Sequence, residues 1–226
     1  MARTMLSPQR RSEMLPLNIG HVILFCEGDT EKYYFDYFAE ILNNKKYNDM
    51  RVVTESADGN AQHVLDFANN FMASEKNQHQ YGRYDQYLVF DCDAPSTIQK
   101  VIQDAKDYEL LVSNLFFETW LLMHFEDLDP TTKLRKKKIF EQLSNHLSSP
   151  YEKASKGVIR EILQNGNIES AIDNAKLLEK YYTDANLKMD SDIKKMNPYS
   201  SVYRFVEMLL FEISTTEQCI NANGLD

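Results

Sequence analysis

Three carboxylates sit where two apolar runs of this chain end. Val22-Ile23-Leu24-Phe25-Cys26 leads into Glu27 and Gly28, and Tyr87-Leu88-Val89-Phe90 leads into Asp91, Cys92 and Asp93. Carboxylates gathered in one place repel, and a pair about 4 Å apart costs about 4 kcal/mol at an effective dielectric near 20. A hard divalent cation with oxygen ligands relieves that repulsion, so these residue types predict Mg²⁺ or Mn²⁺ held by Glu27, Asp91 and Asp93. Such a metal lowers the pKa of bound water and screens a leaving oxygen, which suits hydrolysis of an anionic substrate. The plainer alternative has Glu27 meeting a helix N-terminus while the aspartates cap a turn.

For the acids to converge, the two runs must be strands of one sheet. Short continuous apolar runs followed by turn residues read as parallel strands buried on both faces. In such sheets ligands bind beyond the carboxyl ends of the strands. Residues 19–126 read as four strand–helix units. Strand one spans about 20–26, and its helix presents Tyr34, Tyr37, Phe38, Ile41 and Leu42 on one face. Strand two is Met50–Thr54; after the turn Asp58-Gly59-Asn60 comes a helix burying Val64, Phe67, Ala68 and Phe71. Strand three is Gln86–Phe90, with a helix from near Pro95. Strand four is Glu109–Ser113, leading into a helix over Phe116–Phe125. The alternation predicts an α/β fold, a Rossmann-like parallel sheet of about four strands flanked by helices.

Residues 1–18 read as a lead-in and 127–226 as a mainly helical region packed on the core. Within it, 127–157 is charged, Ile168, Ala171, Ile172 and Ala175 have helical spacing, and Asp184–Lys195 reads as a polar loop. Asn197 and Pro198 are expected to open a last helix.

The composition narrows the function classes. With 226 residues, 43% hydrophobic and 12% aromatic, the chain has ample material for a packed core. A net charge of −9 argues against broad adhesion to nucleic acid, yet leaves room for a nuclease whose metal ions and local basic cluster supply the attraction. Three cysteines are too few for a disulfide framework. No apolar stretch approaches the ~20 residues that span a bilayer, and Met14–Asn18 is too short for a signal-peptide core. A cytoplasmic protein without a membrane partner is expected.

Cys26-Glu27-Gly28-Asp29-Thr30-Glu31, followed by Val89-Phe90-Asp91-Cys92-Asp93, resembles the Toprim pattern of a strand-ending glutamate and a later Asp-x-Asp. Ser113-Asn114-Leu115-Phe116-Phe117-Glu118-Thr119-Trp120 resembles a hallmark segment of the RloB family. Asn197-Pro198-Tyr199-Ser200-Ser201 is similar to that family's C-terminal signature, and Tyr151-Glu152-Lys153 to its Tyr-x-Lys element. The resemblance covers about residues 20–210. It implies a Toprim-type fold and divalent-metal phosphodiester chemistry in a prokaryotic defence protein, encoded near restriction or abortive-infection loci. Glu27, Asp91 and Asp93 match the metal and acid–base positions. It further implies DNA or tRNA as substrate and an ATPase or restriction-system partner, with oligomeric state left open. The family segment commonly reads Ser-Asn-Pro-Cys-Phe-Glu, so Leu115 and Phe116 depart from it, and the change bears on packing.

Beyond the three acids, Glu118 is a fourth carboxylate near a helix start, aimed at the crevice or at the helix dipole. Lys153 is suited to neutralise charge developing on phosphorus. His124 shares a helix face with Trp120 and reads either as a general acid or as a satisfied core histidine. The run Lys133–Lys138 reads as a solvated helix face, or as a guide for a phosphate backbone. Two other functions fit the same acids: a non-catalytic Toprim-shaped subunit of a defence complex, and an Asp-x-Asp phosphatase.

Overall fold

The computed structural model describes residues 21–43, 51–92 and 97–223, without the side chains of 51–52 and 216–223. Strands β1 (His21–Cys26), β2 (Arg51–Ser56), β3 (Asp85–Asp91) and β4 (Glu109–Asn114) pair in parallel in the order β2-β1-β3-β4. Val22–Cys26 have no exposure and Leu88–Phe90 at most 1%. That is why these runs are uninterrupted: a strand covered on both faces has no solvent side on which to place polar residues.

Helix α1 (Asp29–Asn43) joins β1 to β2, α2 (Ala61–Ala73) and α3 (Glu75–Tyr81) join β2 to β3, and α4 (Ile98–Asp104) joins β3 to β4. The chain therefore steps one way from β1 to β2 and returns past β1 to reach β3. With right-handed crossovers, α1 and α2 fall on opposite faces. Phe25 of β1 meets Phe67 and Phe71 of α2 on one face. On the other, Tyr87 of β3 and Phe35 of α1 both pack against Phe205. Asn60 caps α2 by accepting from the N–H groups of Gln62 and His63, so the Asp58-Gly59-Asn60 turn ends in a helix start.

The remaining helices are α5 (Glu118–Leu122), α6 (Lys136–His146), α7 (Lys156–Asn165), α8 (Ile168–Asp184), α9 (Met189–Asp192) and α10 (Val202–Asn223), with a 3₁₀ turn at Ile193–Lys195. Several differ from the sequence reading. Helix α5 is confined to Glu118–Leu122, because the N–H groups of His124 and Phe125 fall back on carbonyls three residues earlier and tighten the chain out of the helix. The stretch 184–195 contains α9 and the 3₁₀ turn rather than a plain loop.

Asn197 and Pro198 precede not a helix but a fifth strand, β5 (Tyr199–Ser200), antiparallel to β4. An uncovered β4 edge would leave backbone groups unpaired. Here Ser201 N–H donates to the Val112 carbonyl (3.0 Å), and Val112 N–H donates to Ser201 Oγ (2.8 Å). The sheet thus includes residues from beyond position 126. No helix among the described residues is long and apolar enough to cross a membrane.

Candidate active site

The chain lays down β2 on one side of β1 and β3 on the other, and this switch in strand order between the parallel β1 and β3 opens a crevice at their carboxyl ends, the position where open α/β sheets bind ligands. Glu27 follows β1 there and Asp91 ends β3. Two bonds fix them side by side: Glu27 N–H donates to the Val89 carbonyl (2.9 Å), and Glu27 Oε2 accepts from Asp91 N–H (2.9 Å). Asp91 is 5% exposed, and its Oδ1 has no hydrogen-bond partner among the described residues.

A third carboxylate comes from the first turn of α1. Glu31 Oε2 accepts from Gly28 N–H (2.9 Å), and the side chain is 3% exposed. The sequence reading assigned Glu31 no role. Its signal was present: it lies in the buried stripe with Tyr34, Phe35, Phe38 and Leu42, where an acid is out of place unless it has a task.

The fourth carboxylate, Glu118, opens α5 with no exposure. Its Oε1 accepts from Tyr151 OH (2.8 Å) and lies 3.3 Å from Lys153 Nζ, while Oε2 has no hydrogen-bond partner among the described residues. Tyr151 and Lys153 belong to the turn between α6 and α7. That turn is pinned to α1 where Ala154 N–H donates to Thr30 Oγ1 (3.0 Å), with Ala154 in the left-handed region at φ 54°. A non-glycine residue there costs about 1 kcal/mol or more and persists only where its surroundings hold it. The Thr30 hydroxyl is part of that hold.

These groups form one electrostatic unit. Burial, followed by the charges of Glu31, Glu27 and Glu118, drives the Asp91 carboxyl well above its usual range, with Lys153 opposing. Burial pushes Glu31 up to about 8; its backbone bond resists, and Glu118 adds to the rise. For Lys153, partial burial would lower the ammonium, but Glu118, Asp91 and Glu31 outweigh it and raise it. The crevice is short of positive charge.

Asp93 lies outside the described residues. Among the described residues no three Asp, Glu, His or Cys side chains converge as a ready-made metal centre. What fits a hard cation is the donor chemistry: carboxylate oxygens only, two of them buried without a partner, in a cluster that holds excess protons.

His124 is apart from this unit. Its Nδ1 faces the Trp120 carbonyl (3.1 Å), which can only accept, so Nδ1 carries the proton and Nε2 accepts from Tyr34 OH (3.2 Å). Burial lowers its pKa to about 4, so the ring is neutral. Gly166 presses against it: a Cβ there would lie 2.7 Å from His124 Cβ. His124 is a satisfied core histidine. In the run 133–138, Leu134 is buried and the five basic residues are exposed.

The family model described as RloB-like protein matches residues 22–209. The chain belongs to the RloB-like family. No curated protein and no solved structure matches it. In this RloB-like protein the hallmark segment does more than supply Glu118. Ser113 Oγ meets Ser200 Oγ (2.9 Å), Asn114 Nδ2 donates to the Ile193 carbonyl (2.6 Å), and Phe116, at the position of departure, packs on Phe140 with centroids 5.7 Å apart. Asn197 holds Leu134 from both sides, its Oδ1 accepting from the Leu134 N–H (3.1 Å) and its Nδ2 donating to the Leu134 carbonyl (3.2 Å).

Proposed function

We propose that this RloB-like protein is a Toprim-type, divalent-metal-dependent phosphodiester hydrolase that cuts DNA or tRNA in prokaryotic antiviral defence. One observation carries the reading: the buried carboxylates Asp91 and Glu118, each with an oxygen unpartnered among the described residues, share a switch-point crevice with Glu27, Glu31 and Lys153. Glu27, Asp91 and Asp93 would hold Mg²⁺ or Mn²⁺, which when bound lowers the pKa of water and screens the leaving oxygen.

The chain's own residues divide the remaining work. Glu27, tied to the end of β3, holds Asp91 in register and is placed to accept a proton at the crevice mouth. Lys153, 43% exposed in its side chain, faces both solvent and Glu118, where it can meet a phosphate and offset charge developing on phosphorus. Tyr151 and Glu118 position that lysine. An ATPase or restriction-system partner belongs to the same proposal.

Purified protein incubated with Mn²⁺ or Mg²⁺ against plasmid, single-stranded DNA and total tRNA tests it. Cleavage of at least one substrate is expected, and loss of that cleavage in both Glu27→Gln and Asp91→Asn with unchanged circular dichroism. Cleavage surviving both substitutions removes these residues from the chemistry. Metal-free behaviour throughout, with tight binding to an ATPase, selects an interaction subunit instead.

A further inference from the structure

We infer that Lys136 and Lys153, both held over the Phe116 ring, form a two-cation track that binds the sugar-phosphate backbone of a nucleic-acid strand beside the carboxylate crevice. The inference rests on the proposed hydrolase reading and adds where the substrate runs. Lys153 Nζ is 5.8 Å from the Phe116 centroid and 3.3 Å from Glu118 Oε1. Lys136 Nζ is 5.7 Å from the same centroid and 5.7 Å from that of Phe140. One aromatic ring therefore lies within cation–π range of two ammonium groups, Lys153 also paired with Glu118 and Lys136 with no carboxylate partner among the described residues, and together they can meet phosphates of one strand.

The position of Lys136 relative to the crevice is fixed by packing. Phe140 of α6 meets Phe116 (5.7 Å between centroids) and Tyr151 (5.1 Å), and the Tyr151 hydroxyl ends on Glu118. The start of α6, Glu118 and the Lys153 turn are thus joined by one run of contacts. Helix α6 also opens at Arg135 without a side-chain cap, leaving first-turn N–H groups available to the same anion.

Density of charge marks this surface: five of the six positions 133–138 are basic and exposed. On α8, Lys176 and Lys180 pair with Glu207 and Asp184. Among the described residues the one ion pair of the run 133–138 is Lys137 with Glu141 (3.7 Å). Exposed Lys133, Arg135, Lys136 and Lys138 have no carboxylate partner among the described residues, in a chain carrying 34 acids against 25 bases. An acidic protein that leaves a basic cluster uncompensated beside its candidate site presents a surface for a polyanion.

Fluorescence anisotropy with Ca²⁺ in place of a cleaving metal tests the track. The probes are a short fluorescein-labelled single-stranded DNA, its duplex and a labelled tRNA, each titrated across a range of salt. For whichever probe the native protein binds, Lys136→Gln should weaken binding about fivefold to tenfold near 0.1 M salt and lower the slope of log K against log salt by about 0.7–0.9. Lys136→Arg should restore both, and Lys180→Gln, which alters a paired lysine, should change neither. An unchanged affinity and slope in Lys136→Gln, or an equal loss in Lys180→Gln, overturns the track while leaving the hydrolase reading standing. Binding of none of the three probes by the native protein overturns both.

Discussion

Replacing Glu31 by glutamine should flatten the pH dependence of this protein's stability in metal-free buffer. The carboxyl is raised from 4.5 to about 8, so between those values the folded chain keeps a proton that the unfolded chain releases. Stability then falls as pH rises, by up to about 1.4 kcal/mol per unit for this one group. From about pH 5.5 to 7.5 Glu31 alone contributes a loss of about 2 kcal/mol, a large part of a typical stability. Asp91, raised in the same direction, adds to the fall. A glutamine can still accept from Gly28 N–H through its amide oxygen, and it brings no charge, so the variant should be the more stable protein at pH 7.5. Urea unfolding in EDTA, followed by fluorescence of the single, fully buried Trp120, supplies the curves. Native stability that is flat or rising over this window, or an equally steep fall in Glu31→Gln, refutes the reasoning.

Lys153→Met should uncover the Glu118 charge, which has no exposure of its own; because the lysine is itself 43% exposed, the loss in stability is about 2 kcal/mol rather than the larger value of a sealed pair. The same substitution should lower kcat far more than it raises KM, and Lys153→Arg should recover part of kcat. His124→Leu should cost about 1–3 kcal/mol in urea unfolding, by orphaning the buried Tyr34 hydroxyl, while leaving kcat within twofold. A kcat collapse in a folded His124→Leu protein would return that histidine to the chemistry.

The parallel strands were legible because each is a short apolar run ended by turn residues, and burial on both faces leaves no ambiguity of pattern. The meeting of Glu27 with Asp91 was legible for the same reason: strand ends at a switch point must be neighbours. β5 was not, since two residues carry no periodicity and their pairing with β4 joins positions more than eighty apart. The turn carrying Tyr151 and Lys153 is fixed by a bond from Ala154 to Thr30, which no local pattern announces; the family resemblance pointed to it where spacing could not. Glu31 was missed because a glutamate in a helix's first turn ordinarily serves the dipole, and only its place in the buried stripe marks it as different. His124 shows the reverse, a residue whose chemistry drew notice but whose two nitrogens are already engaged.

The central claim, that these acids bind a divalent ion, is met most directly by Mn²⁺ titration calorimetry on the native protein and on Glu27→Gln, Asp91→Asn and Asp93→Asn. Saturable binding to the native protein is expected, with proton release that grows as pH falls because the ion must displace the proton held at Asp91. Each substitution should weaken that binding about tenfold or more. Equal affinity in all four proteins, or none in any of them, would contradict the account.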